Sequence, residues 1–303
     1  KCLKREIGFH DIRAFIKIYK ICKQEKFDIV HTQSSKPGIL GRLASKISGC
    51  KKTIHTVQGH SFHKYEKPWN RIFFLILEII TGFFSDIIVL VNHYYKKDFW
   101  FIPSKKISVI YNAVDFTKLK EKHERNDDLI KLIFVGRLDK AKSPVDFLKA
   151  INIVVKKYDN VRATIVGDGE YYSEMKRFIL EHNMENVISL LGWRSDVPAL
   201  LAEHDIFCLT SIYEAFGLVF CEAGYTGLPS VATNVEGIPE VVVNNKTGIL
   251  VPPKQPVLFA EAIIKLIKNR RLASDMGKSA KIYVSKNFGL SNMIERYKEL
   301  YEL

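Results

Sequence analysis

Four short clusters carry residues whose types and spacing suit an anionic, hydroxyl-rich ligand, and each follows an apolar run. The first is Val135-Gly136-Arg137, with Lys142 five residues beyond the arginine and Ser143-Pro144 directly after it. Gly136 permits close backbone approach, and the Ser-Pro pair reads as the cap and first turn of a helix. The free N–H groups of such a helix start, with two cations beside them, have the chemistry of a pyrophosphate clamp. The second cluster, Val166-Gly167-Asp168-Gly169-Glu170, has two glycines in five residues. It reads either as a turn that lets a ligand lie against the main chain or as a plain Gly-rich connection. Gly192-Trp193-Arg194 is the third, suited to shaping a pocket for a flat base. The fourth is Glu214-Ala-Phe-Gly-Leu-Val-Phe-Cys-Glu222. Its carboxylates are poor neighbours for a pyrophosphate, so they are expected to accept hydrogen bonds from sugar and ribose hydroxyls. The N–H groups of Phe216, Gly217 and Leu218, at a helix start near Gly217, suit the anionic part. Apolar residues flank both glutamates, which makes a solvated face a poor explanation for them.

These clusters need a frame, and the chain alternates strand and helix almost throughout. Asp11 is placed to cap a helix carrying Ile12, Phe15, Ile16 and Tyr19; Phe27–His31 reads as a strand; Pro37 opens a helix that Gly49 caps. Strands are expected at Thr53–Val57, Ile87–Val91 and Ile107–Tyr111. Polar residues then read as a linker. Further strands are expected at Leu129–Val135, Val161–Val166, Val187–Leu191, Asp205–Thr210 and Ser230–Thr233, with helices between them and three helices at the end. Apolar strands alternating with helices imply an α/β fold of two parallel, Rossmann-like sheets covered on both faces. Ligands of such folds bind at the carboxyl ends of strands, where all four clusters lie.

The bulk composition sets limits on the reading. At 303 residues with 47% hydrophobic content the chain suits two ordinary globular domains. Cys22, Cys208 and Cys221 fall in apolar segments, and the five cysteines form no C-x-x-C pair, so reduced thiols and a cytoplasmic protein are expected. The formal charge of +13 fits either a Lys-rich solvated surface or an anionic partner. No zinc finger, RNP-type aromatic motif or Gly-x-x-Gly clamp supports a nucleic-acid partner. The most apolar stretch, Ile72–Phe84, is too short to span a bilayer and carries Glu78. It reads first as a buried helix. The alternative is a helix whose apolar face meets an anionic membrane, with Lys64, Lys67 and Arg71 upstream.

Two glutamates separated by seven residues and preceded by a Gly-Arg…Lys site resemble the retaining glycosyltransferases of family 4, which have the GT-B fold. The likeness extends to Asp28-Ile-Val-His31, Ser35-Lys-Pro-Gly-Ile-Leu-Gly-Arg42, Asn112-Ala-Val-Asp115 and Gly237-Ile-Pro-Glu240. It implies two Rossmann-like domains facing a cleft: an acceptor-side domain at 1–112, a linker at 113–128, a donor-binding domain at 129–285, and a helix at 286–303 returning toward the first domain. It implies that Arg137 and Lys142 hold the donor diphosphate, with Gly136, Gly167 and Arg194 lining the donor site. Glu214 then binds sugar hydroxyls, helped by the Phe216, Gly217 and Leu218 amides, and Glu222 binds the ribose. The implied reaction moves a sugar from a nucleotide-sugar, usually a UDP-sugar, to a glycan or polyprenol-linked acceptor with retention. A protein working at the inner face of the cytoplasmic membrane fits that acceptor.

The chain contains no D-x-D motif, so no metal is expected to assist. The first domain departs from the family pattern. Gln33 and Gln58 stand where similar members often have histidine, and Gln58 cannot carry a proton near neutral pH. His60, two residues on, is either its catalytic substitute or a structural residue, and His55 reads as core. Family members also have several strands and a Gly-rich loop before the Asp28–His31 strand, whereas here one helix and Lys1 precede it. The expectation is therefore an incomplete first domain. The alternatives are a truncated form that is inactive or only binds donor, and a GT-B nucleotide-sugar epimerase.

Overall fold

The structure, a computed structural model, describes residues 8–123 and 127–302; Cys2 and residues 124–126 of the expected linker lie outside them. The chain divides into two compact units, Lys1–Tyr111 with Arg296–Leu303, and Asn112–Glu295.

In the first unit the order is α1 (His10–Glu25), β1 (Ile29–Gln33), α2 (Ser35–Ser48), β2 (Lys52–Val57), α3 (Pro68–Gly82), β3 (Ile87–Leu90) and β4 (Ile107–Val109). The four strands pair in chain order and all run parallel. Parallel neighbours need a crossover, and α2 and α3 supply two of them. Asp11 is not the cap of α1. It stands inside the first turn, where its carboxylate accepts the Gly8 N–H at 3.0 Å. Gly49 does cap α2, with φ +85°. A β-carbon on Gly38 would lie 2.3 Å from His55 Cε1, so α2 packs tightly on β2, and His55 is core as its strand position predicts.

The helix α3 departs from its first reading as a buried helix. Its buried residues are Glu78, Thr81 and Gly82, while Trp69, Ile72, Phe73, Ile76 and Ile80 are exposed. The reason is an inward ion pair. Arg42 is fully buried on α2, donates to Glu78 Oε2 at 2.9 Å and to Gly38 O at 3.1 Å, and pulls the one charged face of α3 toward the sheet.

The second unit begins before β5 (Ile130–Val135) and continues through α4 (Pro144–Val155), β6 (Val161–Val166), α5 (Tyr172–Glu181), β7 (Ile188–Leu190), α6 (Val197–Ala202) and β8 (Ile206–Leu209). It is completed by α7 (Leu218–Thr226), β9 (Ser230–Thr233), α8 (Ile238–Val241), β10 (Gly248–Val251), α9 (Pro256–Lys268) and α10 (Arg270–Asn287). The helix α11 (Leu290–Glu302) starts in this unit and ends among the residues of the first. The six-stranded parallel sheet has the order β10-β9-β8-β5-β6-β7. Its core is apolar on both faces, with Phe134, Phe147, Phe207 and Phe259 buried. The edge strand β10 was not expected from the sequence, because Gly248-Ile-Leu-Val251 is only four residues long and runs straight into Pro252-Pro253. Cys22, Cys208 and Cys221 are buried free thiols.

Candidate active site

In the second sheet the chain travels outward from β5 in one direction through β6 and β7, and in the other through β8, β9 and β10. The carboxyl ends of β5 and β8 therefore flank the point where strand order reverses, which is where doubly wound sheets open a crevice. The loops leaving these two strands carry the first and fourth clusters. They are tied together by main-chain and hydroxyl bonds. Ile212 N–H donates to Ala141 O at 2.7 Å, and the Thr210 hydroxyl donates to Lys142 O and Ser143 O at 3.1 and 2.9 Å.

Across this junction the Lys142 ammonium donates to Glu214 Oε2, and both side chains are largely enclosed, at 16% and 13% exposure. Sequence spacing assigns the lysine to phosphate and the glutamate to hydroxyls; the fold pairs them with each other. An enclosed cation and carboxylate each need a partner, so the pair holds both side chains at the crevice. Arg137 is more open, at 70% exposure, and forms an ion pair with Asp139 Oδ2 at 3.0 Å. Ser143 occupies the cap position of α4 with Pro144 next, yet its hydroxyl donates to Asp146 instead of accepting an amide.

Glu214 is also fixed through its backbone. Its N–H donates to Glu236 Oε2 at 3.1 Å, and its carbonyl accepts from Gly237 N–H at 3.1 Å. Glu236, with φ +40°, is a positioning residue that no spacing argument found, because it lies 22 positions away and meets Glu214 only through the fold. Gly217, at φ +78°, caps α7; a β-carbon there would crowd Phe220 at 2.7 Å and Glu214 Cγ at 3.3 Å. The helix itself begins at Leu218, so the Phe216 amide precedes the first turn, while Leu218 and Val219 open it. The Phe216 side chain is buried against Phe288, ring centres 5.3 Å apart. Glu222 lies half-buried one turn into α7, and burial pushes its carboxyl above the usual carboxylate range.

The glycines of the second cluster have a cause within the fold. A β-carbon on Gly167 (φ +144°) would sit 1.8 Å from Gly136 O, and one on Gly169 (φ +158°) 2.4 Å from Leu138 O. The two loops run main chain against main chain, joined by Gly136 N–H to Val166 O and Leu138 N–H to Asp168 O at 3.0 and 2.9 Å. Gly167 thus shapes the crevice through its neighbour loop. A β-carbon on Gly136 would meet the Lys142 side chain at 3.5 Å and Leu209 at 3.6 Å, ordinary contact distances. Arg194 and Trp193 follow the edge strand β7, on the far side of β6 from β5. Trp193 is exposed, and Arg194 makes a two-point pair with Asp196 at 2.8 and 2.6 Å. Among the described residues, no hydrogen bond or ion pair joins Arg194 to the Lys142–Glu214 pair.

His60 belongs to the first unit, where its ring stacks on Phe62 and meets Tyr95 edge-on. Nε2 is 3.2 Å from Asp98 Oδ2, and Nδ1 is buried without a hydrogen-bond partner. Among the described residues, no group of three or more His, Cys, Asp or Glu is arranged to hold a metal ion, and no helix is long and apolar enough to cross a membrane.

A parallel sheet with cations, a carboxylate and a helix start at its switch point belongs to the class of folds that bind nucleotides or nucleotide-sugars. Residues 115–283 match the family described as glycosyl transferases group 1, and residues 2–118 match glycosyltransferase family 4. The chain belongs to this glycosyltransferase family, with the GT-B fold of two Rossmann-like halves. It is 31% identical to the UDP-Gal:alpha-D-GlcNAc-diphosphoundecaprenol alpha-1,3-galactosyltransferase of Escherichia coli, over 96% of this chain and 79% of the relative. It is 26% identical to the capsular polysaccharide biosynthesis glycosyltransferase CapM of Staphylococcus aureus, over 99% and 83%. The crystal structure of Anabaena HepE in complex with UDP superposes with a TM-score of 0.84 at 21% identity, covering 96% of this chain and 82% of that one.

Proposed function

We propose that this glycosyltransferase moves a hexose or N-acetylhexosamine from a UDP-sugar to a glycan or polyprenol-linked acceptor, with retention and without a metal. The observation that carries the reading is the enclosed Lys142–Glu214 pair beside the start of α7, at the switch point of the second sheet. On donor binding the Lys142 ammonium turns from Glu214 to the diphosphate. Arg137 and the first-turn amides of α7 join it as charge grows on the leaving phosphate. Glu214, released from the lysine, accepts hydrogen bonds from sugar hydroxyls, and Glu222 accepts from the ribose. The bond from C1 to the diphosphate oxygen breaks and the bond from C1 to the acceptor oxygen forms on the same face. The acceptor proton passes to the leaving phosphate oxygen, so no carboxylate nucleophile is needed. The first unit supplies the acceptor side.

The relatives support this choice of substrates. The Escherichia coli relative is named for a UDP-galactose donor and a diphosphoundecaprenol acceptor, and HepE has been solved with UDP and with UDP-glucose. The test is a donor screen by release of UDP, with a lipid-linked acceptor present and absent. Acceptor-dependent UDP release from one sugar nucleotide is expected. Binding of UDP with no release from any donor would leave a donor-binding protein and remove the catalytic reading.

A further inference from the structure

The loop after β8 carries Glu214, and the loop after β9 braces it. Thr233, the last residue of β9, donates its hydroxyl to Ser211 O at 2.5 Å. Three residues on, Glu236 Oε2 accepts the Glu214 N–H at 3.1 Å, and Gly237 N–H donates to Glu214 O at 3.1 Å. Two consecutive residues therefore meet both polar groups of the Glu214 backbone. The brace has a firm base. Asn234 N–H donates to Val251 O of the edge strand β10 at 2.7 Å, and Ile238 N–H closes a turn onto Val235 O at 3.0 Å. Val235, Ile238 and Val241 are buried on either side of the glutamate.

Glu236 stands in the left-handed region, at φ +40°. A side chain there crowds its own backbone, and glycine is the residue that takes the conformation without strain. A glutamate at such a position costs stability, which points to a use for its side chain. The bond to the Glu214 amide is that use, and a carboxylate accepting a main-chain N–H makes a stronger bond than a neutral oxygen does. Holding the Glu214 backbone matters because its carboxylate sits at the end of a flexible side chain. Sugars that differ at one carbon present a hydroxyl in different directions, and an unbraced glutamate follows either. With its backbone fixed and its carboxylate met by Lys142, Glu214 is confined to a narrow region. A site whose acceptors stand in one place discriminates by leaving them unpaired when the hydroxyl is elsewhere.

We infer that Glu236 is a specificity-determining positioning residue, which sets the choice of donor sugar by holding Glu214 in one place. This rests on Glu214 accepting from sugar hydroxyls, as proposed above. The test measures kcat/KM and dissociation constants for UDP-glucose, UDP-galactose, UDP-N-acetylglucosamine and UDP-N-acetylgalactosamine, with UDP alone as the reference. In Glu236→Ala and Glu236→Gly the preference for the best donor over the others is expected to fall about tenfold, the scale of one misplaced contact. Affinity for UDP alone should change little, because Lys142 and Arg137 belong to the loop after β5. Glu236→Gln keeps an oxygen that accepts the Glu214 N–H and is expected to restore most of the preference. Glu236→Gly relieves the left-handed backbone, so it should melt above Glu236→Ala and be no more selective. A purely structural role would instead make selectivity follow the melting midpoint. The proposal is overturned if the parent does not discriminate among these donors, or if Glu236→Ala discriminates as the parent does. It is equally overturned if Glu236→Gln loses the preference as Glu236→Ala does, or if affinity for UDP falls as far as that for the UDP-sugars. A parent that binds the donors but transfers no sugar removes the transferase reading instead, and the preference is then read from the dissociation constants. A parent that binds none of them overturns both.

Discussion

Single side chains divide the candidate site by what burial does to their charge. Lys142 and Glu214 neutralise one another, so removing either leaves an enclosed charge, and the loss is felt in both structure and turnover. Lys142→Ala is expected to lower transfer by about a hundredfold or more, as the leaving diphosphate loses its best-enclosed cation. Turnover close to that of the parent would remove the lysine from the mechanism. Glu222 differs, because among the described residues it has no cationic partner and burial raises its carboxyl. Its protonated form is the one the fold favours, so its ionisation costs stability as pH rises through the raised value. Glu222→Gln should therefore raise the melting midpoint of the unliganded protein near neutral pH by roughly 2 °C, while raising the donor KM by about tenfold. A variant that gained stability and kept the parent KM would show that Glu222 does not touch the donor.

Whole elements carry the site through close approaches of backbone. The loop after β6 fits against the loop after β5 only because Gly167 has no side chain. Gly167→Ala meets a carbonyl at 1.8 Å in a conformation that side chains rarely adopt, and a cost of about 1–3 kcal/mol or more is expected. Denaturant titration measures that cost, and the donor KM should rise with it because Lys142 hangs from the displaced loop. In the first unit the packing of α2 on β2 buries His55. Burial, with Arg42 and His31 nearby, holds its ring well below the usual histidine range. Burial also lowers His31 and, in the second unit, His204. The unfolded chain takes up these protons below about pH 6.5, the folded one only at lower pH, so stability present at neutral pH is lost on acidification. The melting midpoint is expected to fall between roughly pH 7 and pH 5. A flat profile would show that these rings are hydrated.

For the molecule as a whole, two compact units predict two responses to ligand. UDP bound by the second unit stabilises that unit by mass action, by about 2.7 kcal/mol at a hundred times Kd. Calorimetry with UDP should move the transition of the second unit upward; a shift confined to the first unit would place the nucleotide elsewhere.

Much of this was legible in the residues themselves. Apolar runs of four to six residues separated by helical spacing determined two parallel sheets, since only crossover helices join parallel strands. The Gly-Arg…Lys and Glu…Glu spacings marked the loops after β5 and β8, because ligand-facing residues in such folds stand just after strands. The paired charges of Lys142 and Glu214 were not legible, for they are 72 positions apart and meet only where strand order reverses. Glu236 escaped for the same reason. The stretch Ile72–Phe84 gives the plainest case. Its apolar content fixes a helix, but which side faces out was decided by Arg42, a residue on another helix that claims Glu78 and turns the apolar side to the surface.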